Sequence, residues 1–312
     1  MASERARAWF NRLPVGGWLE RLAPIRQNKP LLFALMGLVG GAIGALLAEF
    51  APHFHFGGPR MEQTLYTGLW TAVSASVLTT ALFLAGEVYH RKLELIRHFL
   101  AKSLLAGAIA GAIAGSVAEA VYGSHGEVEY WRELILRPLC WGLLGGLLGW
   151  RLSGVLPNLG WLRGVIGGSA GGVVGGIGFL LMGILFPQFV GRMAGFGVLG
   201  AGLGLSVVTV EAMFRHASLE IVWAPNEVTS LTLGSQPIYI GGGDDHVPVV
   251  GLPQHAASIA LDKGRIRYTD LVTGRKTDLQ NGSRIKIGRL ELVINARGES
   301  AAAVEPGEKC PR

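Results

Sequence analysis

Six stretches of this sequence are long and apolar enough to call for lipid around them. They are Pro30–Phe50, Leu65–Gly86, Phe99–Tyr122, Leu134–Leu156, Leu162–Phe186 and Val190–Phe214. A helix needs about 20 apolar residues to cross the hydrocarbon core of a bilayer. Inside that core every backbone N–H and C=O must be satisfied within the protein, so six α-helices are the expectation. The fourth stretch is the weakest. Arg137 and Arg151 bound a short uncharged part and must snorkel to the interfaces.

Composition agrees with a membrane chain. Charged residues make up only 16%, against about 25% in soluble domains, and the mean hydropathy is +0.39. Glycine accounts for 47 of 312 residues, without the Gly-X-Y period of collagen. Cys140 and Cys310 sit in different contexts and offer neither a disulfide framework nor a metal cluster. The net charge of +6 comes with no nucleic-acid recognition motif, so no nucleic-acid partner is expected. Basic residues mark the cytoplasmic side of a membrane protein instead.

The loops set an orientation on that rule. Arg5, Arg7, Arg12, Arg21, Arg26 and Lys29 precede the first stretch. Arg91, Lys92, Arg97 and Lys102 fill the second loop, and Arg151 and Arg163 border the fourth. The alternate loops are neutral or acidic, so both termini are expected in the cytoplasm. The first stretch is too long, and too far behind its basic segment, for a cleaved signal peptide. Residues 1–29 mix Trp9, Phe10, Trp18 and Leu19 with arginines. Two readings stay open for them, an interfacial helix and an unstructured basic tail.

The glycines fall at helical spacing: Gly37 and Gly41; Gly107, Gly111 and Gly115; Gly142 and Gly146; Gly168, Gly172 and Gly176. Small residues four apart let helix backbones approach closely in lipid, so a tight bundle is expected rather than a pore. Internal similarity points to three repeated helical hairpins: Gly41–Glu49 resembles Gly111–Glu119, and Trp141–Gly149 resembles Gly197–Gly204. Glu49, Glu119 and Glu211 lie near span ends, where they are expected to reach water. With no carboxylate, His or Lys at a span centre, ion-coupled transport is disfavoured.

Near residue 216 the pattern changes. Short β-branched stretches follow: Leu219–Trp223, Val228–Leu233, Pro237–Ile240, Ser258–Leu261, Arg265–Leu271, Lys276–Leu279, Arg284–Ile287 and Leu290–Ile294. Turn residues separate them, and this spacing predicts an all-β sandwich. The Gly241–Gly243 run lacks the Gly-Lys-Ser/Thr ending of a P-loop and a following helix, so it reads as a turn. Residues 298–312 are polar and expected to be disordered. The expected domains are thus 1–29, 30–216, 217–297 and 298–312. Almost no linker separates the sixth span from the first strand, which suggests a sandwich held close to the membrane.

Within the sandwich an ordered set of motifs resembles a forkhead-associated (FHA) domain. The set runs Leu231-Thr-Leu-Gly-Ser-Gln-Pro-Ile-Tyr-Ile-Gly241, Gly243-Asp-Asp-His-Val-Pro-Val249, His255-Ala-Ala-Ser-Ile259, Tyr268-Thr-Asp-Leu271, Asn281-Gly-Ser-Arg-Ile-Lys-Ile-Gly288 and Leu290-Glu-Leu-Val-Ile294. The resemblance implies a non-catalytic β-sandwich whose loops at one end bind phosphothreonine peptides. It places Gly242, Asp244, Asp245, Leu252, Gln254, Thr273, Arg275 and Lys276 on that binding face, and gives Gly241 and His255 structural roles. It also exposes departures. Gly242 stands where the family has an arginine, Leu252 stands where it has a serine, and the stretch Thr273–Lys276 is shortened where it has an asparagine.

Three functions follow as expectations. The leading one is a membrane scaffold whose FHA-like domain docks a cytoplasmic or membrane protein. Some secretion-system membrane components are similar, which suggests a bacterial inner or plasma membrane. The second is a phosphothreonine reader beside a Ser/Thr kinase, binding a phosphoprotein. The third is a transporter or channel component regulated by the domain. A homo-oligomer is compatible with all three. No cofactor or metal is expected, and no nucleophile–base pair points to an enzyme.

Overall fold

The computed structural model describes residues 23–52, 58–90, 96–123, 130–154, 156–215, 217–224, 227–242, 245–249, 251–262, 264–287 and 290–296. The expectations for residues 1–22 and for the 298–312 tail lie outside them. The chain divides into two compact units, Met1–Met213 and Phe214–Arg312.

The first unit is helical: α1 (Ala23–Gln27), α2 (Lys29–Ala48), α3 (Pro59–Tyr89), α4 (Ile96–Gly123), α5 (Tyr130–Leu152), α6 (Trp161–Leu185) and α7 (Gln188–Met213). Asn28 opens α2: its side chain accepts a hydrogen bond from the Leu31 N–H at 3.2 Å, and Pro30 sits in the first turn. α3 runs 31 residues, about 46 Å at 1.5 Å per residue, which exceeds a bilayer core. Among the described residues five helices, α2, α3, α4, α6 and α7, are long and apolar enough to span a membrane. The expected fourth span forms as α5, but it is not in that set. Arg137, Pro138 and Arg151 interrupt its apolar sequence.

Packing follows chain order with one interruption. α2–α3, α3–α4, α5–α6 and α6–α7 are closely packed pairs, and α7 returns against α2. α4 and α5, although consecutive, meet only lightly. Phe33, Leu78, Leu82, Leu144, Phe196, Leu199 and Leu203 are buried in a common core.

The second unit holds two sheets. One orders its strands β2 (Glu227–Leu233), β1 (Ala217–Ala224), β9 (Leu290–Ala296), β8 (Arg284–Ile287). The other runs β4 (Val247–Pro248), β3 (Ile238–Gly241), β5 (Ala257–Asp262), β6 (Arg265–Asp270), β7 (Lys276–Leu279). All pairings are antiparallel except β3 with β4. Alternate residues point inward, as strand pleating requires: Leu219 and Ile221, Ile238 and Ile240, Leu292 and Ile294 are buried together. β4 has only two residues, too short for any alternation to show in the sequence.

Candidate protein-interaction site

Register places the expected binding-face positions at one end of the second sheet. Ile240 pairs with Ala257, Ala257 with Asp270, and Thr269 with Lys276. The loops after β3, before β5 and between β6 and β7 therefore emerge together. Gly241, Gly242, Asp245, Leu252, Gln254, His255, Thr273, Arg275 and Lys276 all belong to this end. Asp244 lies outside the described residues.

Hydrogen bonds join the loops. The Gly242 N–H donates to the Pro253 carbonyl at 2.9 Å, and the Val249 N–H to that of Gly241 at 2.7 Å. The Leu271 N–H donates to the Ala256 carbonyl at 2.9 Å, which ties the third loop to the second. Asp245 anchors the inside. Its carboxylate is buried, accepts the His255 N–H at 2.7 Å and lies 2.5 Å from the His255 Nδ1. His255 adopts φ 54°, an uncommon conformation for a side-chain-bearing residue. The Tyr239 ring meets both His255, at 4.5 Å, and His246, at 6.0 Å.

This packing leaves no room for a side chain at Gly241 or Gly242. A Cβ on Gly242 would collide with the Leu252 carbonyl oxygen, and one on Gly241 with the Pro253 carbonyl and the Asp245 carboxylate. Between β6 and β7, Asp270 builds a turn by accepting the N–H groups of Val272 (2.9 Å) and Thr273 (3.0 Å). The Thr273 N–H, then its hydroxyl, and the Val272 N–H hold the Asp270 carboxyl below its ordinary pKa. Burial, and then the Asp270 charge, push the Tyr268 hydroxyl up. Leu271 (46% exposed) and Val272 (69%) stand out on this turn beside the exposed Arg275 and Lys276. Sequence reading missed the apolar pair, because Leu271 and Val272 continue a strand-like stretch and look like core.

In the helical unit the glycines sort into two kinds. A Cβ on Gly37, Gly41, Gly107, Gly111, Gly115, Gly168 or Gly172 would come within 3.0 Å of backbone atoms of a neighbouring helix. Gly142, Gly146 and Gly176 would instead meet the side chains of Val173, Ser169 and Trp141. The expectation that the glutamates reach water needs correction at Glu211. Glu211 is 3% exposed and pairs with Lys29 (5%) at 2.5 Å, and Lys29 also lies 5.1 Å from the centroid of the Tyr89 ring. Glu49 accepts from Arg192 at 2.7 Å and from the Trp70 indole at 3.2 Å. Glu119 accepts from the Thr67 hydroxyl at 3.2 Å. The pairs are 182 and 143 residues apart in sequence, so no local pattern announces them. They join opposite ends of α2 and α7, which fixes these helices as antiparallel neighbours.

Compared with models of known protein families, with curated proteins and with solved structures, the chain matches none.

Proposed function

We propose that this chain is a multi-pass membrane scaffold whose C-terminal β unit is an FHA-like domain that docks a protein partner without reading phosphothreonine. In this reading α5 is the fourth of six spans, both termini are cytoplasmic, and the loop end of the second sheet is the docking face. The observation that carries it is the closure at Gly242. A phosphate dianion needs charge-assisted donors in fixed positions. The place for one such donor is filled by the Leu252 carbonyl, while the loops around it are kept rigid by Asp245 and His255. What the face presents is Leu271 and Val272 next to Arg275 and Lys276, an apolar centre with a basic edge. That suits a partner with an apolar anchor and acidic flanks. Photo-crosslinkers at Gln254 and Val272 of the full chain in its native membrane are expected to capture one discrete protein. Crosslinkers at the exposed Val228 of β2 are not. Equal, diffuse labelling from both positions overturns the reading.

The exposed Arg275 and Lys276 favour one alternative, a phosphothreonine reader with displaced cations. Micromolar peptide binding that requires the phosphate, and that Arg275→Ala/Lys276→Ala abolishes, would establish it. The transporter reading loses its original support, since the glycines that suggested a pore meet neighbouring helices and the core is filled by leucine and phenylalanine.

A further inference from the structure

Glycine rows join all five closely packed helix pairs, and the lightly packed α4–α5 pair has none. Gly40 and Gly44 of α2 meet α3, while Gly37 and Gly41 meet α7. Gly107, Gly111 and Gly115 of α4 all turn to α3. Gly142, Gly145, Gly146 and Gly149 of α5 all turn to α6, and Gly171 and Gly175 of α6 meet α7. Where α4 faces α5 no glycine contributes, and a groove of about 350 Å³ opens instead. Leu105, Ile109 and Ile113 of α4 and Leu147 and Trp150 of α5 line its length, with Lys102 and Arg151 at one end. Among the described residues neither cation has a carboxylate within ion-pair distance; Arg151 lies 6.0 Å from the Phe83 ring centroid.

We propose that the α4–α5 groove is a binding site for an anionic phospholipid. Lys102 and Arg151 hold the phosphate, and one acyl chain lies along Leu105, Ile109 and Ile113. Three observations select this occupant. The polar end carries two positive charges and the remaining lining is apolar, matching the two parts of an anionic lipid. Lys102 and Ile113 are eleven residues apart, about 17 Å along a helix, close to the ~15 Å of hydrocarbon in one leaflet. The end that holds the cations is also the one where α2 begins and α7 ends, the end of the basic loops, where anionic headgroups concentrate. A second copy of the chain fits less well, because a two-fold contact would set Lys102 and Arg151 against their own copies.

The test uses the full chain in detergent, with phosphatidylglycerol or phosphatidylcholine added at equal concentration and bound lipid counted by native mass spectrometry. Phosphatidylglycerol is expected to be retained preferentially. Each basic side chain contributes roughly fivefold, so Lys102→Ala/Arg151→Ala lowers retention about thirtyfold. Lys102→Arg keeps it. Ile109→Trp fills the groove and lowers retention with both cations intact, which separates lipid seating from general charge. Unchanged melting temperatures show that the variants are folded; for a variant that melts early, Lys102→Arg and Ile109→Trp decide alone. Equal retention of the two lipids, no loss on removing the cations, or a disulfide-linked dimer from Ile109→Cys in membranes that excludes lipid, each overturns the proposal.

Discussion

The helical unit and the β unit both bring backbones into contact through glycine, but they distribute that contact differently. In the bundle it repeats every four residues along five helix pairs, so each glycine carries a share. In the sandwich it is concentrated at Gly241 and Gly242, where two glycines bring the loops after β3 and before β5 together around the buried Asp245. Buried charge is distributed differently as well. The bundle closes on itself through ion pairs between α2 and α7, whereas the sandwich buries one carboxylate beside a half-exposed histidine. A repeated device tolerates the loss of one member better than a single one does. The bundle's ion pairs are its non-repeated parts, and they are where it is most vulnerable.

The largest effect is therefore expected at Lys29 and Glu211. Removing one partner, as in Lys29→Met, takes the countercharge away from the buried Glu211 carboxylate and costs about 3–5 kcal/mol. Lys29→Met/Glu211→Met should recover most of that, because two apolar side chains need no compensation. Thermal melting of the two single variants and the double variant in detergent measures the difference. A double variant no better than the worse single would show that the pair serves geometry rather than charge balance.

Glycine in the bundle comes next. Gly41→Ala forces a Cβ against the Phe196 backbone of α7 and should cost about 1–3 kcal/mol. Gly183→Ala meets nothing within 4 Å and should stabilise by up to about 1 kcal/mol through helix propensity. Opposite signs for two Gly→Ala changes, read as shifts in melting temperature, would locate the effect in packing. Shifts of equal sign would break the contrast between packed and free glycines. A similar cost, about 1–3 kcal/mol, applies to Gly242→Arg in the sandwich. That variant should still fail to bind phosphothreonine peptides, because the new side chain starts from a displaced loop. If it gained phosphate-dependent binding in a titration, the closure at Gly242 would not be what blocks that activity.

Helices and strands were largely legible because their periods are local. Runs of about 20 apolar residues and alternating β-branched residues announce α2 to α4, α6, α7 and most strands. The glycine rows also announced themselves, and their number held a further signal: α4 carries one row, enough to pack on one neighbour only. What could not be read was non-local. Nothing near Lys29 points to Glu211. Nothing near Gly242 tells that Leu252 folds over it. β4 is too short to register. Leu271 and Val272 continue a strand-like pattern into a turn because Asp270 bends the backbone after β6.

That turn carries the smallest expected effect and the finest test of how the sandwich builds its loop end. The Asp270 carboxylate accepts two backbone N–H groups, and its folded pKa is depressed. The stability it contributes is therefore fully present above the ordinary carboxylate value of about 3.9. It is lost only as pH falls through the lower folded value. Amide NMR of the full chain in detergent should show the Val272 and Thr273 signals titrating together, with a midpoint below that of an unstructured aspartate. Asp270→Asn keeps one acceptor oxygen, so it should retain the turn while removing the titration. Asp270→Ala should lose both and free Leu271 and Val272, weakening any partner contact through this face. If the two amides titrated at or above the ordinary value, the turn would be held by strand pairing alone. The loop end would then resemble the bundle, with its contacts spread over many residues rather than resting on one carboxylate.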